Sequence, residues 1–394
     1  MSIRLLSIAC ACLVAAGNAA ADDGRIRVAT FNVEDLRVND FLEPGPRVDA
    51  LAAIIQQLDA DILLLNEVEV QEIRRMVPMQ PGERQELGET VMYFSAGKLL
   101  AERVAAEAQC DGCTPINYVA YVHATNTGKP SGFDLDNDGL VDETPGDPTY
   151  GGDALGWGTI PGQYGMTLLV REGIEILESD VRTFQTFLWK DMPGALLPPG
   201  VAADGTVDPA STWYAEEELD VVRLSSKSHW DVPVRLPDGR VLHLLCSHPT
   251  PPVFDGPEDR NGRRNHDEIR FIGEYIDGAD WIVDDTGGRG GLAPDASFVI
   301  LGDLNADPTR RSERMPMRRW LLGNDRVNAE VVPTSDLEVE GLEPVDTARF
   351  RLRVDYALPS SDLAVVGSGI WRRAPGEFPS DHYPIWIDLA PVGD

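Results

Sequence analysis

The chain has 394 residues, of which 43% are hydrophobic and 25% are charged, and its formal net charge is −31 at pH 7. This hydrophobic fraction is enough for a large core, so the charge does not indicate a disordered protein. So negative a surface repels nucleic acid and anionic membranes and attracts metal cations. At roughly 150 residues per domain, the length alone predicts two domains.

The first 21 residues are predicted to be a cleaved export signal. Arg4 supplies a short positive segment, residues 5–16 are apolar, and Ala19-Ala20-Ala21 fits a small-residue cleavage site. The apolar run is too short to cross a bilayer, and no later stretch offers 18 uninterrupted apolar residues. We therefore predict a mature protein of residues 22–394 without a membrane span, periplasmic or secreted.

Three cysteines remain in the mature chain. Cys110 and Cys113 form a C-x-x-C around a turn, and a local disulfide is their expected state in an oxidising compartment. No second C-x-x-C or nearby histidine pair is present to complete a zinc site. Cys246 lies in an apolar strand pattern and is predicted to be a buried free thiol.

The mature chain begins with a strand–helix–strand pattern. Residues 25–31 and 61–65 are predicted strands, and residues 47–58 between them carry apolar side chains at helical spacing. The first strand ends at Asn32 and the second is followed by Glu67. The pattern therefore places these two polar side chains at equivalent strand ends.

Two loop-rich stretches follow. After a second helical pattern at residues 86–109, residues 111–163 are rich in Gly, Pro, Asp and Thr, and a strand pattern resumes only at residues 165–170. Residues 193–214 are also rich in Pro and Gly. We predict that residues 111–163 and 193–214 are surface insertions.

The first insertion contains a sequence with the spacing of a calcium loop. Asp134, Asp136 and Asp138 occupy positions one, three and five, a glycine occupies position six, and Asp142 follows. This spacing wraps carboxylate oxygens around Ca²⁺, although position twelve is Pro145 rather than the usual glutamate. The sequence predicts a structural Ca²⁺ site of a short extracellular type, with a solvated acidic loop as the alternative.

The second half of the chain is predicted to contain strands at 219–226, 240–246, 298–301 and 351–358, with a helix through 269–276. Polar residues lie at or beside strand ends throughout the chain: Asn32, Glu67, His248, Asp303 with Asn305, Asp355, and Asp381 with His382. A single Asp-x-Asn after a strand is typical of a turn. Because buried polar groups are costly unless partnered, their repeated placement predicts a shared site.

These motifs, in this order, resemble the endonuclease/exonuclease/phosphatase superfamily with its DNase-I-like fold. Gly302-Asp-Leu-Asn305 and Ser380-Asp-His382 are the most specific of them, and the resemblance spans essentially the whole mature chain. It implies an α/β fold, a four-layer α/β sandwich in which two mixed β-sheets pack face to face with helices outside. It also implies a single domain over residues 22–394, in place of the two predicted from length.

The resemblance also implies residue roles. The implied catalytic residues are His248, Asp303, Asn305, Asp355 and His382. Glu67 is implied to be the main metal ligand, and Asn32 and Asp381 are implied to complete the inner or outer shell of the metal. His382, bonded to Asp355, would be the base or the electrostatic partner of the phosphate. His248 would lie on the leaving-group side, although no carboxylate partner for it is evident. Carboxylate and amide oxygens suit Mg²⁺ or Mn²⁺.

A phosphate contact is implied by a further motif. Arg264-Asn265-x-Asp267 is similar to a motif of inositol polyphosphate 5-phosphatases, so Asn265 and Arg264 would hold a phosphate oxygen. Guanidinium groups match phosphate geometry, but pairing with neighbouring aspartates is the alternative for these arginines.

The predicted function is that of a secreted, metal-dependent phosphoesterase that hydrolyses a phosphate mono- or diester by in-line attack of water. A small phosphorylated metabolite or headgroup is favoured as substrate, because the chain has no basic stripe with interleaved aromatics. A Mg²⁺-dependent nuclease is the alternative, since divalent ions can bridge an acidic protein to DNA or RNA. A non-catalytic, calcium-dependent binding module is a remote alternative. The sequence does not predict an oligomeric state.

Overall fold

In the computed structural model of the chain, the described residues are 24–78, 87–309 and 314–391. The predicted export signal, residues 1–21, lies outside them. The helices are α1 Pro46–Leu58, α2 Ala96–Ala106, α3 Glu216–Leu219 and α4 Arg260–Ile276, with a π-helical turn at Met317–Leu321. The strands are β1 Ile26–Leu36, β2 Ile62–Val68, β3 Val70–Pro78, β4 Leu87–Ser95, β5 Tyr118–Tyr121, β6 Gly165–Arg171, β7 Glu175–Ile176, β8 Arg182–Thr183, β9 Pro199–Val201, β10 Val207–Thr212, β11 His229–Arg235, β12 Val241–Ser247, β13 Phe298–Asp303, β14 Asp355–Pro359, β15 Val365–Ile370 and β16 Ile385–Leu389.

The first large sheet has the strand order β15-β16-β1-β2-β6-β5, and only the β1–β2 pair in it is parallel. Its outer face packs on α1 and α2, where Leu51 and Ile54 of α1 are fully buried. Pro46 suits the first turn of α1 because its missing N–H would have no partner there. Asp59, with φ 51°, ends the helix in the left-handed conformation.

The second large sheet has the order β14-β13-β12-β11-β7, with β8 also paired to β11. The β12–β13 pair is parallel and the other pairs are antiparallel. Its outer face is covered by α4 and the π-helical turn, so that Ile269 and Ile272 share a buried cluster with Ile300. The apolar periodicity of α4 is satisfied by this sheet.

The inner faces of the two sheets pack on each other. Val28 and Leu64 of the first sheet share one buried cluster with Leu244 and Val299 of the second. With helices on both outer faces, the layers run helix, sheet, sheet, helix, which confirms the predicted four-layer α/β sandwich. In the described part of the chain, no helix has the length and apolar character needed to span a bilayer.

Two predicted elements are wrong in part. Where a helix was predicted at 86–109, residues 87–95 form β4, and α2 begins only at Ala96, after Ser95 caps its N-terminus by accepting the Lys98 N–H. Gly88 disfavours a helix interior, and the β-branched and aromatic residues that follow favour a strand. Residues 219–226 form no strand, and β11 begins ten residues later than predicted.

The cysteines have the predicted states. Cys110 and Cys113 are joined by a disulfide, and Cys246 is a buried free thiol. Residues 111–163 are mostly loop, as predicted, yet they include the fully buried side chains of Asn126 and Tyr150. This stretch therefore contributes to the interior as well as to the surface.

Candidate active site

One edge of the sandwich carries the predicted polar residues of both sheets. In the second sheet, Asp303 is paired directly with Asp355 across β13 and β14. Cys246 is paired with Leu301 across the parallel strands β12 and β13, so His248 and Asp303 leave their strands side by side. The sequence pattern of polar residues at strand ends is thus converted into a cluster by strand pairing.

A buried hydrogen-bonded bridge connects the two sheets at this edge. Asn32, fully buried, donates its side-chain N–H groups to Glu67 Oε1 and to Asp303 Oδ2, each at 3.0 Å. The other oxygen of Glu67 accepts the backbone N–H of Asp35 at 3.1 Å. The amide of Asn32 therefore holds one carboxylate from each sheet at a fixed position.

The backbone at this edge is strained in a way that aims the side chains. Glu34, Asp35, Glu67 and Asn305 all have φ between 48° and 63°. Non-glycine residues adopt this left-handed conformation at a cost, and such residues concentrate at functional sites. At Glu67 the strained backbone coincides with a shift in the register between β2 and β6. The regular alternation of side chains along β2 is therefore interrupted at Glu67.

His382 and Asp355 form a buried pair. The Nδ1 of His382 lies 2.9 Å from Asp355 Oδ2, and its Nε2 lies 3.7 Å from Asp303 Oδ2. Burial alone would lower the pKa of His382, but the carboxylates of Asp355, Asp303 and Asp381 raise it to about 10. At neutral pH His382 is therefore an imidazolium, which favours the predicted electrostatic role over that of a base.

The protein places too little positive charge near the carboxylates of the cluster to keep their pKa values at the ordinary level. Burial raises the pKa of Glu67, and burial with the nearby Asp355 raises that of Asp303 to about 7 despite His382. Ligand-type atoms of Glu67, His248 and Asp303 lie within 4.8 Å of one another. This donor set fits a divalent cation, which would favour the charged carboxylates again.

His248 is buried and neutral. Burial, with the positive charges of Lys227 and His382, lowers its pKa well below the ordinary value. Its Nε2 lies 3.6 Å from Asp303 Oδ2, while its buried Nδ1 has no hydrogen-bond partner among the described residues. The carboxylate partner that was not evident in the sequence is thus not found at Nδ1.

Asn305 closes the turn after β13. Its backbone N–H donates to Asp303 Oδ1 at 2.9 Å, and its side-chain amide donates to the carbonyl of Pro249 at 3.1 Å. The first bond is the turn geometry that an Asp-x-Asn sequence adopts alone. The second ties the loop of Asp303 to the loop of His248.

Two residues of α4 hold these loops in place. Asn265 donates both side-chain N–H groups to backbone carbonyls, of Thr250 at 2.8 Å and of Leu304 at 3.0 Å. Glu268, fully buried, accepts the N–H groups of Ser226 and Thr250. We call Asn265 and Glu268 the α4 clamp, because they are three residues apart on one helix face.

The structure gives no support to the predicted phosphate contacts. The side-chain donors of Asn265 are used by the α4 clamp. Arg264 donates to the carbonyls of Leu155, Arg223 and Leu224 at 2.7–2.9 Å. Guanidinium and amide groups suit phosphate, but here backbone carbonyls take the amide donors of Asn265 and the Nε and Nη2 donors of Arg264.

Asn32 and Asp381 are the two residues implied to complete the inner or outer shell of the metal. Asn32 presents N–H groups to the carboxylates, and its Oδ1 accepts the backbone N–H of Glu34 at 3.0 Å, so its oxygen does not face the cluster. Asp381 lies at the rim, with 43% of its side chain exposed and Oδ1 3.8 Å from His382 Nε2. Neither is therefore a preformed inner ligand in this arrangement.

Lys227 and Glu268 belong to the site but were not predicted from the sequence. Lys227 is only 6% exposed, and burial lowers its pKa although the carboxylates of Glu268, Glu67 and Asp303 act in the opposite direction. A lysine before a strand and a glutamate inside a helix are both common on protein surfaces, so neither carries a distinctive local signal. Strand pairing brings Lys227 to the edge, and only helix packing buries Glu268.

The predicted calcium loop lies in the insertion. Carboxylate oxygens of Asp134, Asp136 and Asp138 approach within 4.8 Å of one another. Asp142 instead accepts the backbone N–H of Thr144 and the hydroxyl of Thr149. Three of the four predicted ligands are therefore brought together.

The chain matches a known protein family. The profile described as the Endonuclease/Exonuclease/phosphatase family matches residues 29–382. No curated protein sequence gives a significant match.

Several solved structures are similar in fold. An endonuclease/exonuclease/phosphatase from Beutenbergia cavernae covers 94% of this chain and 72% of its own, at 18% identity and a TM-score of 0.47. The match with an endonuclease/exonuclease/phosphatase family protein from Leptotrichia buccalis covers 92% of this chain and 99% of that protein, at 14% sequence identity and a TM-score of 0.44. The match with the human Nocturnin catalytic domain, solved with a bound sulfate anion, covers 94% of this chain and 95% of that domain, at 15% sequence identity and a TM-score of 0.44.

Proposed function

Since the chain belongs to the endonuclease/exonuclease/phosphatase family, whose members hydrolyse phosphoesters, we propose that it is a divalent-metal-dependent phosphoesterase acting by in-line attack of water. The observation that carries the proposal is the buried bridge from Glu67 through Asn32 to Asp303, beside the Asp355–His382 pair. Water would attack phosphorus as the bond to the ester oxygen breaks.

Glu67 is the proposed main ligand of Mg²⁺ or Mn²⁺, with Asp303 and His248 close to it. The raised pKa of Glu67 and Asp303 supports this, because buried carboxylates favour a neighbouring cation. When bound, the ion would neutralise phosphoryl charge and lower the pKa of water. Asn32 and Asp381 would support this shell through hydrogen bonds and charge.

The remaining residues have complementary proposed roles. His382, as an imidazolium, would stabilise charge on the phosphoryl oxygens, with Asp355 fixing its orientation. Asp303 would orient the attacking water and accept its proton. Neutral His248 would stand on the leaving-group side, and Asn305 would keep the His248 and Asp303 loops together.

A small phosphoester is the proposed substrate. Glu34 and Asp381 lie beside the cluster, linked by a 2.9 Å hydrogen bond from the Asp381 N–H to Glu34 Oε2, and both are at least partly exposed. Together with the net charge of −31, they disfavour a polyanion, whose backbone would have to pass this rim. We also propose, from the N-terminal sequence, that the protein is exported.

The test is an assay of the purified protein on p-nitrophenyl phosphate, its bis-ester, inositol phosphates, phospholipid headgroups, RNA and plasmid DNA. Activity is expected with Mg²⁺ or Mn²⁺, to be lost with EDTA, and to be restored by the metal. Metal-independent hydrolysis would contradict the proposal. Faster cleavage of DNA or RNA than of any small ester would favour the nuclease.

A further inference from the structure

Lys227 reaches the candidate active site through strand pairing. His229 is paired with Ser247 across the antiparallel strands β11 and β12. Two residues before His229, Lys227 therefore lies beside the chain that leaves β12 through His248. Four neighbouring strands of the second sheet thus place Lys227, His248, Asp303 and Asp355 at one edge.

The segment around Lys227 is fixed on both sides. The backbone N–H of Asn126 donates to the Lys227 carbonyl at 2.9 Å. The N–H of Ser226 donates to Glu268 Oε1 at 2.8 Å, and the other oxygen of Glu268 accepts the Thr250 N–H at 2.6 Å. Glu268 therefore holds the Lys227 segment against the loop that follows His248.

The ammonium group retains its hydrogen-bond donors. Both oxygens of Glu268 already accept backbone N–H groups, and in the described part of the chain no hydrogen bond is formed by Lys227 Nζ. Burial lowers the pKa of Lys227, and the carboxylates of Glu268, Glu67 and Asp303 oppose this shift. A buried lysine whose donors are not used within the described part of the chain, beside carboxylates from two sheets, is suited to an anionic ligand.

We propose that Lys227 is a substrate-binding residue that donates hydrogen bonds to a non-bridging phosphoryl oxygen. The proposal rests on the proposed function, because it assigns Lys227 to the phosphate of the same reaction. It also explains how a site rich in carboxylates accepts an anion. Lys227 and His382 would supply hydrogen-bond donors that are fixed in the protein, in addition to the charge of a metal.

The binding experiment compares wild type with Lys227→Met and Lys227→Arg in the presence of Mg²⁺. Inorganic phosphate is titrated by calorimetry, and kcat and KM are measured on p-nitrophenyl phosphate. Lys227→Met is expected to weaken phosphate binding and to lower kcat/KM, each by about tenfold or more, because a charge-assisted bond is lost. Lys227→Arg is expected to retain part of the phosphate affinity.

A matched control and a second readout separate substrate binding from a structural role. Lys190→Met removes an exposed lysine paired with Asp220 and is expected to leave phosphate binding unchanged. Mn²⁺ affinity, measured by electron paramagnetic resonance, is expected to be unchanged or higher in Lys227→Met, since a cation near Glu67 is removed. Parallel loss of Mn²⁺ and phosphate affinity would show that Lys227 only maintains the fold, and would overturn the proposal.

The outcomes also separate this proposal from the proposed function. If wild type cleaves esters but Lys227→Met binds phosphate and turns over like wild type, the Lys227 assignment fails and the function stands. If phosphate binding depends on Lys227 but no ester is cleaved, the function fails and the assignment stands. Lys227→Gln provides the same comparison if Lys227→Met shows no cooperative melting transition.

Discussion

Individual side chains in this protein owe their chemistry to their surroundings more than to their type. His382, His248 and His229 are all nearly buried, yet the pKa of His382 is raised to about 10 while those of His248 and His229 are lowered. The difference follows from neighbours. His382 faces three carboxylates, whereas burial dominates around the other two.

The first residue-scale prediction concerns His382. Substitution His382→Ala is expected to lower kcat/KM about a hundredfold or more, because the cation beside the phosphoryl oxygens is lost. His243 is a matched control, since its Nδ1 lies 2.8 Å from Asp231 in a second His–Asp pair outside the cluster. Steady-state kinetics on p-nitrophenyl phosphate measure both. Full activity in His382→Ala, or an equal loss in His243→Ala, would contradict the assignment.

The second residue-scale prediction concerns His229 and the pH dependence of folding stability. Burial lowers the pKa of His229 to about 3 in the folded protein, whereas the unfolded chain has the ordinary value of about 6.5. Below pH 6.5 the unfolded state therefore binds the extra proton, and stability is lost by up to about 1.4 kcal/mol per pH unit until pH 3. Urea unfolding of wild type and His229→Gln between pH 7 and 5 is the measurement. The difference in the free energy of unfolding between wild type and His229→Gln should narrow as pH falls. A difference that stays constant with pH would argue against a neutral His229.

The helix α4 packs on the second sheet and also holds the loops of the candidate active site in position. One face of the helix packs on the second sheet, and the α4 clamp holds the loops that carry Lys227, His248 and Asp303. Loops at a sheet edge have few contacts of their own. Their geometry is therefore set by two polar side chains of one rigid helix.

Substitution of Asn265 tests whether α4 positions these loops. Asn265→Ala is expected to destabilise the protein by about 1–3 kcal/mol, because two buried carbonyls lose their donor, and to lower kcat more than it raises KM. Asn261→Ala is the control, since its half-buried side chain donates, among the described residues, to the Val253 carbonyl alone. Urea unfolding and kinetics are measured together. A raised KM with unchanged stability would restore the phosphate contact predicted from the sequence.

For the molecule as a whole, charge and topology act together. A formal charge of −31 opposes the compact state, and cations that bind the folded protein stabilise it. The candidate active site and the loop of Asp134, Asp136 and Asp138 are separate groups of acidic ligands. We propose that the second binds Ca²⁺.

Thermal unfolding with Ca²⁺ tests this proposal. Wild type is expected to gain several degrees in Tm at millimolar Ca²⁺, and Asp134→Asn with Asp136→Asn to lose most of that gain. Metal-dependent hydrolysis should persist in the double variant, because the candidate active site is unaltered. Equal gains in both proteins would indicate that the loop is only a solvated acidic turn.

Most of the cluster could be predicted from the sequence, and the sandwich followed from the resemblance of its motifs to a known family. Apolar strands and amphipathic helices have local periods that are visible in any sequence, and Asn32, Glu67, His248, Asp303, Asp355 and His382 lie where those strands end. The order of these residues along the chain was sufficient to indicate the family. Even so, boundaries such as that between β4 and α2 were misassigned, because local patterns overlap there.

The hydrogen-bond partners of the polar groups could not be predicted, because they depend on tertiary packing. Arg264 and Asn265 looked like phosphate ligands because their donors suit phosphate, but helix packing directs those donors to backbone carbonyls. Lys227 carried no local signal, and the pairing of β11 with β12 brings it to the cluster. Hydrogen-bond partners are chosen among groups that are distant in the chain, so no local pattern determines them.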